Sequence, residues 1–154
     1  MLQQLLELPA TLPGVMYGLD GYTDHISLPD YCPWAHATLL EARMVSNMTL
    51  PVQTPAVYSY ELHTIFYRAD LPEDVERCAI AHELVHFEHR DRGTAPRQEA
   101  RANRVSTLRL IRPSRLAGVH ADQADLPAVA YELGVTEKTM RLYARMARNG
   151  TLPK

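Results

Sequence analysis

The spacing of apolar and polar positions divides the chain into segments of different kinds. Apolar residues at helical spacing predict a short helix from Leu2 to Leu8 and a second helix from Trp34 to about Asn47. Between them, aromatic and β-branched residues flank Asp20-Gly21, a pair typical of a hairpin turn. The segment from Ala56 to Arg68 is dense in β-formers, which predicts one long strand or two strands with a kink near Glu61 to His63.

The next segment has the strongest helical pattern. Asp70 is placed to cap the helix, Pro72 lies in the first turn, and Glu73 stands three residues after the cap. The helix continues through AHELVHFEH, and Gly93 suits the left-handed position after its end. Because apolar residues cover a broad part of its surface, we expect this helix to be largely buried. These residues are Val75, Ala79, Ile80, Leu84, Val85 and Phe87.

A further helix is predicted after Gly93. Thr94 is its expected N-cap, Pro96 lies in its first turn, and it continues to about Ile111. These patterns together predict an α+β fold, in which a small antiparallel or mixed sheet packs on the central helix. A helical C-terminal part follows.

The C-terminal part resembles a helix-turn-helix. Ala128 to Leu133 predicts one helix, Gly134 the turn, Thr136 an N-cap, and Glu137 to Arg148 a second helix. Such a pair can contact DNA through residues 126–148, and it can equally serve a structural or substrate-docking role. The expected joint core is Val129, Leu133, Val135, Met140 and Tyr143, with Lys138, Arg141, Arg145 and Arg148 outside.

Composition indicates a soluble globular protein of one domain's length, with 154 residues, 46% apolar and 22% charged. The N-terminal residues lack the basic start and long apolar run of a signal peptide, and no apolar stretch approaches the length of a membrane span. Cys32 and Cys78 are too few for a disulfide framework. We therefore expect a cytoplasmic protein without a membrane partner.

Charge is unevenly distributed along the chain. Residues 1–89 contain 3 basic and 12 acidic residues, a net charge of −9, whereas residues 90–154 contain 13 basic and 6 acidic residues, a net charge of +7. A basic C-terminal half suggests nucleic acid or an acidic protein as a partner. Solvated helix faces explain the asymmetry equally well.

The candidate chemistry lies in the central helix. His82 and His86 are four residues apart, so their imidazoles lie on one helix face and can bind one Zn²⁺ ion. Glu83 lies beside them, where it can take a proton from a water held at an open zinc position. The alternative is a pair of hydrogen-bonded core or solvated histidines. Cys78, one turn earlier, is a conceivable ligand, but a small buried apolar residue is the favoured interpretation.

A hydrolytic zinc site needs a third protein ligand, and Glu99 on the following helix can supply it. The alternative for Glu99 is a surface ion pair with Arg101 or another arginine neighbour. Asn103, on the same face, is a candidate to orient a ligand.

The strand before the central helix is a second candidate part of the site. As an edge strand, HTIFYR could pair with an extended substrate, or it could be an ordinary sheet strand. His63, Tyr60 and Tyr67 are candidates to stabilise an oxyanion, although packing is the commoner role of such aromatic residues.

Two stretches, RCAIAHELVHFEHRD and RQEARANRVSTLRLIRPSRL, resemble the ImmA/IrrE family of zinc metallopeptidases, especially its small actinobacterial and phage members. The resemblance covers about residues 56–111. It implies that His82, His86 and Glu99 bind zinc and that Glu83 is the catalytic base. We predict a metallopeptidase domain in residues 1–115 and a helical, helix-turn-helix-like C-terminal segment in residues 116–154. A glutamate often found in the family is Arg101 here.

The leading hypothesis is therefore a zinc-dependent endopeptidase. The resemblance further implies a specific protein substrate, a helix-turn-helix repressor of a phage or mobile element. Two alternatives stay open: a DNA-binding regulator with a structural or vestigial zinc site, and a toxin-antitoxin partner protein.

Overall fold

The computed structural model describes residues 30–117 and 125–153. In this part of the chain, six helices and a three-stranded mixed sheet form an α+β fold, as predicted. The predicted Leu2 to Leu8 helix and the Asp20-Gly21 hairpin lie outside the described residues. The elements are α1 Pro33–Leu39, β1 Arg43–Ser46, β2 Ala56–Ser59, β3 Thr64–Tyr67, α2 Glu73–His89, α3 Pro96–Leu110, α4 Pro113–Ala117, α5 Leu126–Leu133 and α6 Glu137–Arg148.

Strand β3 lies in the centre of the sheet, in the order β1-β3-β2. It pairs in parallel with β1, where Met44 is opposite Ile65, and antiparallel with β2, where Tyr58 is opposite Ile65. Of the two interpretations of HTIFYR, the edge strand is therefore wrong, and the ordinary sheet strand is what the structure contains. Because β3 has neighbours on both sides, β1 and β2 are the edges among the described strands.

The predicted single helix from Trp34 to Asn47 is also wrong. Helix α1 ends at Leu39, and Glu41 has a positive φ of 52°, which turns the chain into β1. Met44 and Val45 have helix-compatible spacing, but they pair instead with Ile65 and Phe66. The pairing joins residues about 20 positions apart, so a local apolar pattern does not reveal it.

Two strands with a kink, one of the two predicted forms of residues 56–68, is what the structure contains. Strands β2 and β3 are joined by a turn at residues 60–63, and His63 has a positive φ of 45°. The backbone N–H of His63 donates to the carbonyl of Tyr60 across this turn, 3.2 Å away. The predicted kink near Glu61 to His63 is therefore confirmed.

The ends of α2 and the start of α3 differ from the predicted caps. Asp70 does not cap α2, because its carboxylate is bound by the guanidinium of Arg68, and Pro72 is the N-cap. The left-handed residue that ends α2 is Arg90, with φ 50°; Gly93 also has a positive φ, of 76°, but it lies three residues further along the chain. For α3 the N-cap is Ala95 rather than Thr94, and the Gln98 side chain accepts from the Ala95 N–H.

Helix α2 lies between two apolar clusters and is largely buried, as expected. On the sheet side, Ile80, Leu84 and Phe87 pack with Ala37 and Ile65. The other cluster is helical. It contains Cys78 and Ala81 of α2 together with Tyr31, Leu110, Ile111, Val129, Ala130, Leu133, Val135, Met140 and Tyr143. Cys78 is buried there, as the favoured interpretation had it.

The C-terminal helix pair has the predicted layout. Gly134 has a φ of 62° between α5 and α6, and the Thr136 side chain caps α6 by accepting from the Thr139 N–H. Helix α5 begins two residues earlier than predicted, at Leu126, because the Asp125 side chain caps it. The five predicted core residues are all buried, and the four basic side chains are exposed. The division of the chain at residues 115 and 116 stays a prediction.

A buried ionic cluster connects α1, α2 and α3. Glu88 of α2 accepts from Arg109 Nη1 at 2.8 Å, and its other oxygen lies 3.4 Å from His36 Nε2. The Tyr31 hydroxyl lies 2.9 Å from the remaining ring nitrogen of His36. Burial alone would raise the pKa of the Glu88 carboxyl, but hydrogen bonds and charges of His36 and Arg109 outweigh burial and lower this pKa to about 2. We call His36, Glu88 and Arg109 the Glu88 triad.

Among the described residues, no helix is both long enough and apolar enough to cross a membrane.

Candidate metal centre

Helix α2 brings two imidazoles together. His82 and His86 are one turn apart, and their Nε2 atoms are 3.1 Å from each other. The side chain of His86 is buried, with 6% exposed, whereas that of His82 is 21% exposed. The pair therefore lies at the boundary between the core and the solvent-exposed surface.

Glu99 completes the group. Helix α3 packs along α2 and places Glu99 Oε2 at 3.4 Å from His82 Nε2 and Glu99 Oε1 at 3.3 Å from His86 Nε2. The alternative was a surface ion pair of Glu99 with Arg101 or another arginine neighbour. Among the described residues, Glu99 instead pairs with the two histidines, and Arg101 contacts Asp91. The structure therefore brings together all three sequence-predicted ligands, and the group could hold a metal ion.

The donor atoms of the three residues lie close enough together to ligate one ion. One nitrogen of each imidazole and one carboxylate oxygen can be chosen so that all three lie within 4.8 Å of one another. The two Nε2 atoms are 3.1 Å apart, and each lies 3.3–3.4 Å from a different carboxylate oxygen of Glu99. Imidazole nitrogens and carboxylate oxygens are donors that zinc accepts.

The electrostatics of His82 favour the neutral imidazole that a metal requires. Burial lowers the pKa of His82, and the charges of His86 and Lys138 act in the same direction, whereas Glu99 opposes them. Lys138 belongs to the first turn of α6, so the C-terminal helix pair lies close enough to influence the site.

Asp91 orients His86, a role that the sequence analysis did not find. Its Oδ2 lies 2.8 Å from His86 Nδ1, which leaves Nε2 directed at Glu99 and His82. The other carboxylate oxygen accepts from the Arg101 guanidinium. Burial alone would raise the pKa of Asp91, but its bonds with Arg101 and His86 lower it. We call His86, Asp91 and Arg101 the Asp91 triad.

A signal for Asp91 was present in the sequence. A carboxylate commonly holds the second nitrogen of a metal-binding histidine. Asp91 follows the end of α2 by two residues, and its N–H donates to the His86 carbonyl at 3.0 Å. From the sequence, Asn103 is the candidate for an orienting role, but the residue that accepts the hydrogen bond of His86 Nδ1 is Asp91.

Glu83 lies beside the ligands and is held at the sheet. Its Oε2 accepts from the backbone N–H of Tyr58 in β2 at 2.8 Å. Burial raises the pKa of this carboxyl to about 7; the Tyr58 N–H opposes the shift, and the charge of Glu99 supports it. A carboxyl with a pKa near neutrality can both accept and release a proton at neutral pH.

The aromatic candidates make packing contacts. The His63 ring stacks on Phe87, with centroids 4.1 Å apart, and His63 Nδ1 lies 2.9 Å from the Tyr58 hydroxyl. Tyr67 packs edge-on against Trp34. Tyr60 lies under the guanidinium of Arg92, whose Nη2 donates to the Tyr60 hydroxyl. These contacts agree with the commoner packing interpretation.

Comparisons of the chain with protein-family models, with curated proteins and with solved structures each return no match.

Proposed function

We propose that the protein is a zinc-dependent endopeptidase. The observation that carries this proposal is the convergence of His82, His86 and Glu99 into one group that could hold a metal ion, with the Glu83 carboxyl next to His82 on the same helix. Metal sites in hydrolases combine three protein ligands with an adjacent general base. The resemblance to ImmA/IrrE metallopeptidases agrees with the same four residues.

Each residue has a definite task in this mechanism. Zinc, when bound, supplies a Lewis acid that lowers the pKa of a coordinated water and polarises a carbonyl group. Glu83 accepts the proton of the attacking water and then donates it to the departing amine. The Tyr58 N–H fixes the Glu83 carboxyl in place for both transfers. Asp91 holds His86 so that Nε2 faces the ion.

The position of β2 suggests how a peptide substrate is held. Strand β2 has only one neighbour in the described sheet. On the opposite edge of β2, the Tyr58 N–H donates to the Glu83 carboxylate. An extended peptide can add to such an edge through main-chain hydrogen bonds. We propose β2 for this role in place of HTIFYR, because β3 already has partners on both sides.

The substrate is proposed on the resemblance alone. A member of the ImmA/IrrE type is expected to cut one specific protein, a helix-turn-helix repressor of a phage or mobile element. We likewise propose that the metal is zinc, that the protein is cytoplasmic, and that its partner is a protein.

Replacement of Glu83 by glutamine is the direct test. The zinc-loaded wild-type protein and its Glu83→Gln variant would be incubated with a library of proteome-derived peptides, and new N-termini counted by mass spectrometry. We expect the variant to bind zinc in equal amount but to lose at least about 10³-fold in rate, since it cannot accept the proton.

Glu73→Gln is the matched control, because Glu73 is an exposed carboxylate in the first turn of the same helix. It should cut as the wild type does. Undiminished cutting by Glu83→Gln, or wild-type activity that zinc does not restore after chelation, would refute the proposal.

A DNA-binding regulator is the second candidate. The exposed Lys138, Arg141, Arg145 and Arg148 on α6 favour it. It predicts binding to a defined duplex that weakens steeply between two salt concentrations. Absence of a complex at the lower salt concentration would dismiss it.

A further inference from the structure

The basic residues of α6 form one continuous stripe. Lys138, Arg141, Arg145 and Arg148 are separated by three, four and three positions, so they are neighbours along one side of the helix. All four are exposed, whereas Met140, Tyr143 and Met146 on the other side are buried. We call these four residues the α6 stripe.

The stripe begins beside the candidate metal centre. The N–H of Thr136, which caps α6, lies 3.4 Å from the Cys78 sulfur, and Cys78 is one turn before His82 on α2. Met140 and Ala81 share the helical cluster. Lys138 is therefore at the end of the stripe nearest to the site, and its charge acts on His82.

We infer that the α6 stripe binds an acidic segment of the polypeptide that is cut at the metal centre. This inference rests on the proposed function, because it describes the substrate of the same site. Four exposed cations in a row match carboxylates at regular intervals along an extended chain. Because the stripe starts at the metal centre, the acidic segment adjoins the scissile bond.

The length of the stripe sets the length of the segment. Ten residues separate Lys138 from Arg148, which corresponds to about 15 Å along a helix. An extended peptide covers this distance with about five residues. We therefore expect a run of about five residues rich in aspartate and glutamate on one side of the cut.

The packing of the helix pair favours a polypeptide over DNA. A DNA-reading helix contacts base edges through its N-terminal residues. Here the chain just before α6 contacts α2, since Arg77 Nη1 donates to the carbonyls of Leu133 and Gly134 at 3.1 and 2.8 Å. Glu137 adds a carboxylate to the first turn, where it would meet phosphates.

The ion pair between Arg141 and Glu137 still leaves the α6 stripe accessible to a substrate carboxylate. Arg141 is bound by Glu137 one turn earlier, but both side chains are about half exposed, with 58% and 45% of their surfaces accessible. An exposed pair of this kind contributes little, so another carboxylate can replace Glu137.

A binding measurement tests the inference without requiring hydrolysis. Fluorescein-labelled decaglutamate would be titrated with the zinc-loaded protein at low salt and followed by fluorescence anisotropy. The double variant Arg145→Glu with Arg148→Glu should bind at least about tenfold more weakly, because two attractive charges become repulsive.

The control carries the same charge change elsewhere. Arg43 on β1 and Arg97 on α3 are both exposed, and Arg97 is two residues from Glu99, so it points away from the site. The variant Arg43→Glu with Arg97→Glu should retain binding within about threefold, since its charges are not in the stripe. A labelled mixed-sequence DNA duplex of the same total charge would be titrated in parallel.

Three outcomes would overturn the inference: no binding of decaglutamate by the wild type, equal loss in both double variants, or tighter binding of the duplex that depends on Arg145 and Arg148. If the protein is an active peptidase but does not bind decaglutamate, the proposed role of the α6 stripe is refuted while the proposed function stands. A protein that binds decaglutamate but cuts no peptide would refute the proposed function while leaving an acid-binding surface.

Discussion

Two triads of the same composition lie a few residues apart, and they differ in purpose. Each joins a histidine, a carboxylate that lies in the last turn of α2 or just after its end, and an arginine of α3. The Glu88 triad uses His36 and Arg109, and the Asp91 triad uses His86 and Arg101. In the first, the other ring nitrogen of the histidine meets the Tyr31 hydroxyl; in the second, it faces Glu99 and His82.

The comparison shows that the partner of the second nitrogen decides what a buried histidine can do. His36 has a partner for both nitrogens, so it can only hold three helices together. His86 keeps one nitrogen directed at two further donors, so its triad can support a metal ligand. The arginines differ as well: the Arg109 side chain is 7% exposed and the Arg101 side chain 37%.

Glu88→Gln should produce the largest effect. It removes the carboxylate that pairs with the buried guanidinium of Arg109, and breaking a buried pair of this kind costs about 3–5 kcal/mol of the free energy of unfolding. Urea denaturation at pH 7, with EDTA in all samples, measures the loss. Glu137→Gln is the control, because its exposed pair with Arg141 should be worth less than about 1 kcal/mol. A loss below about 1 kcal/mol in Glu88→Gln would remove the structural role of the triad.

Acid should weaken the same triad in a defined pH range. Because the pKa of Glu88 is about 2 in the folded protein against an ordinary value of 4.5, its stabilisation is complete above pH 4.5 and is lost as the pH falls towards 2. The difference in pKa corresponds to about 3 kcal/mol. Urea midpoints at pH 5 and pH 2.5 should therefore differ more in the wild type than in Glu88→Gln; equal differences would contradict the assignment.

Asp91→Asn should give the smallest effect of the three, and this effect should be a change in the free energy of zinc binding. Loss of the carboxylate that orients His86 should weaken zinc binding about 10–100-fold, or about 1.4–2.7 kcal/mol. Competition with a zinc-sensitive dye gives the affinity. Stability should fall less than in Glu88→Gln, because Arg101 is exposed enough to be hydrated. Glu88→Gln should keep its zinc affinity within about threefold, and a reversed pattern would erase the distinction between the triads.

Local geometry explains which parts of the site the sequence predicted. His82, Glu83 and His86 follow from helical periodicity alone, since positions four apart share a face. The end of α5 and the start of α6 follow from Gly134 and Thr136, whose conformational and capping preferences act within a few residues. Glu99 needed the additional requirement for a third ligand.

The remaining parts depended on contacts between distant segments. Strand β1 was predicted to be helical because the spacing of Met44 and Val45 fits a helix, and only pairing with β3 makes it a strand. The central place of β3 depends on the same pairing. The Tyr58 N–H that holds Glu83 is a backbone group, which no residue pattern identifies.

Helix α2 contributes Ile80 and Leu84 to the sheet-side cluster and Cys78 and Ala81 to the helical one. A chain cut before α5 would remove the α5 and α6 side chains that cover Cys78 and Ala81, and would leave only Tyr31, Leu110 and Ile111 beside them among the buried residues of this cluster. Both apolar clusters thus depend on helix α2, so we expect them to unfold in one transition rather than two. The ion-binding side chains should lose their arrangement in that same transition.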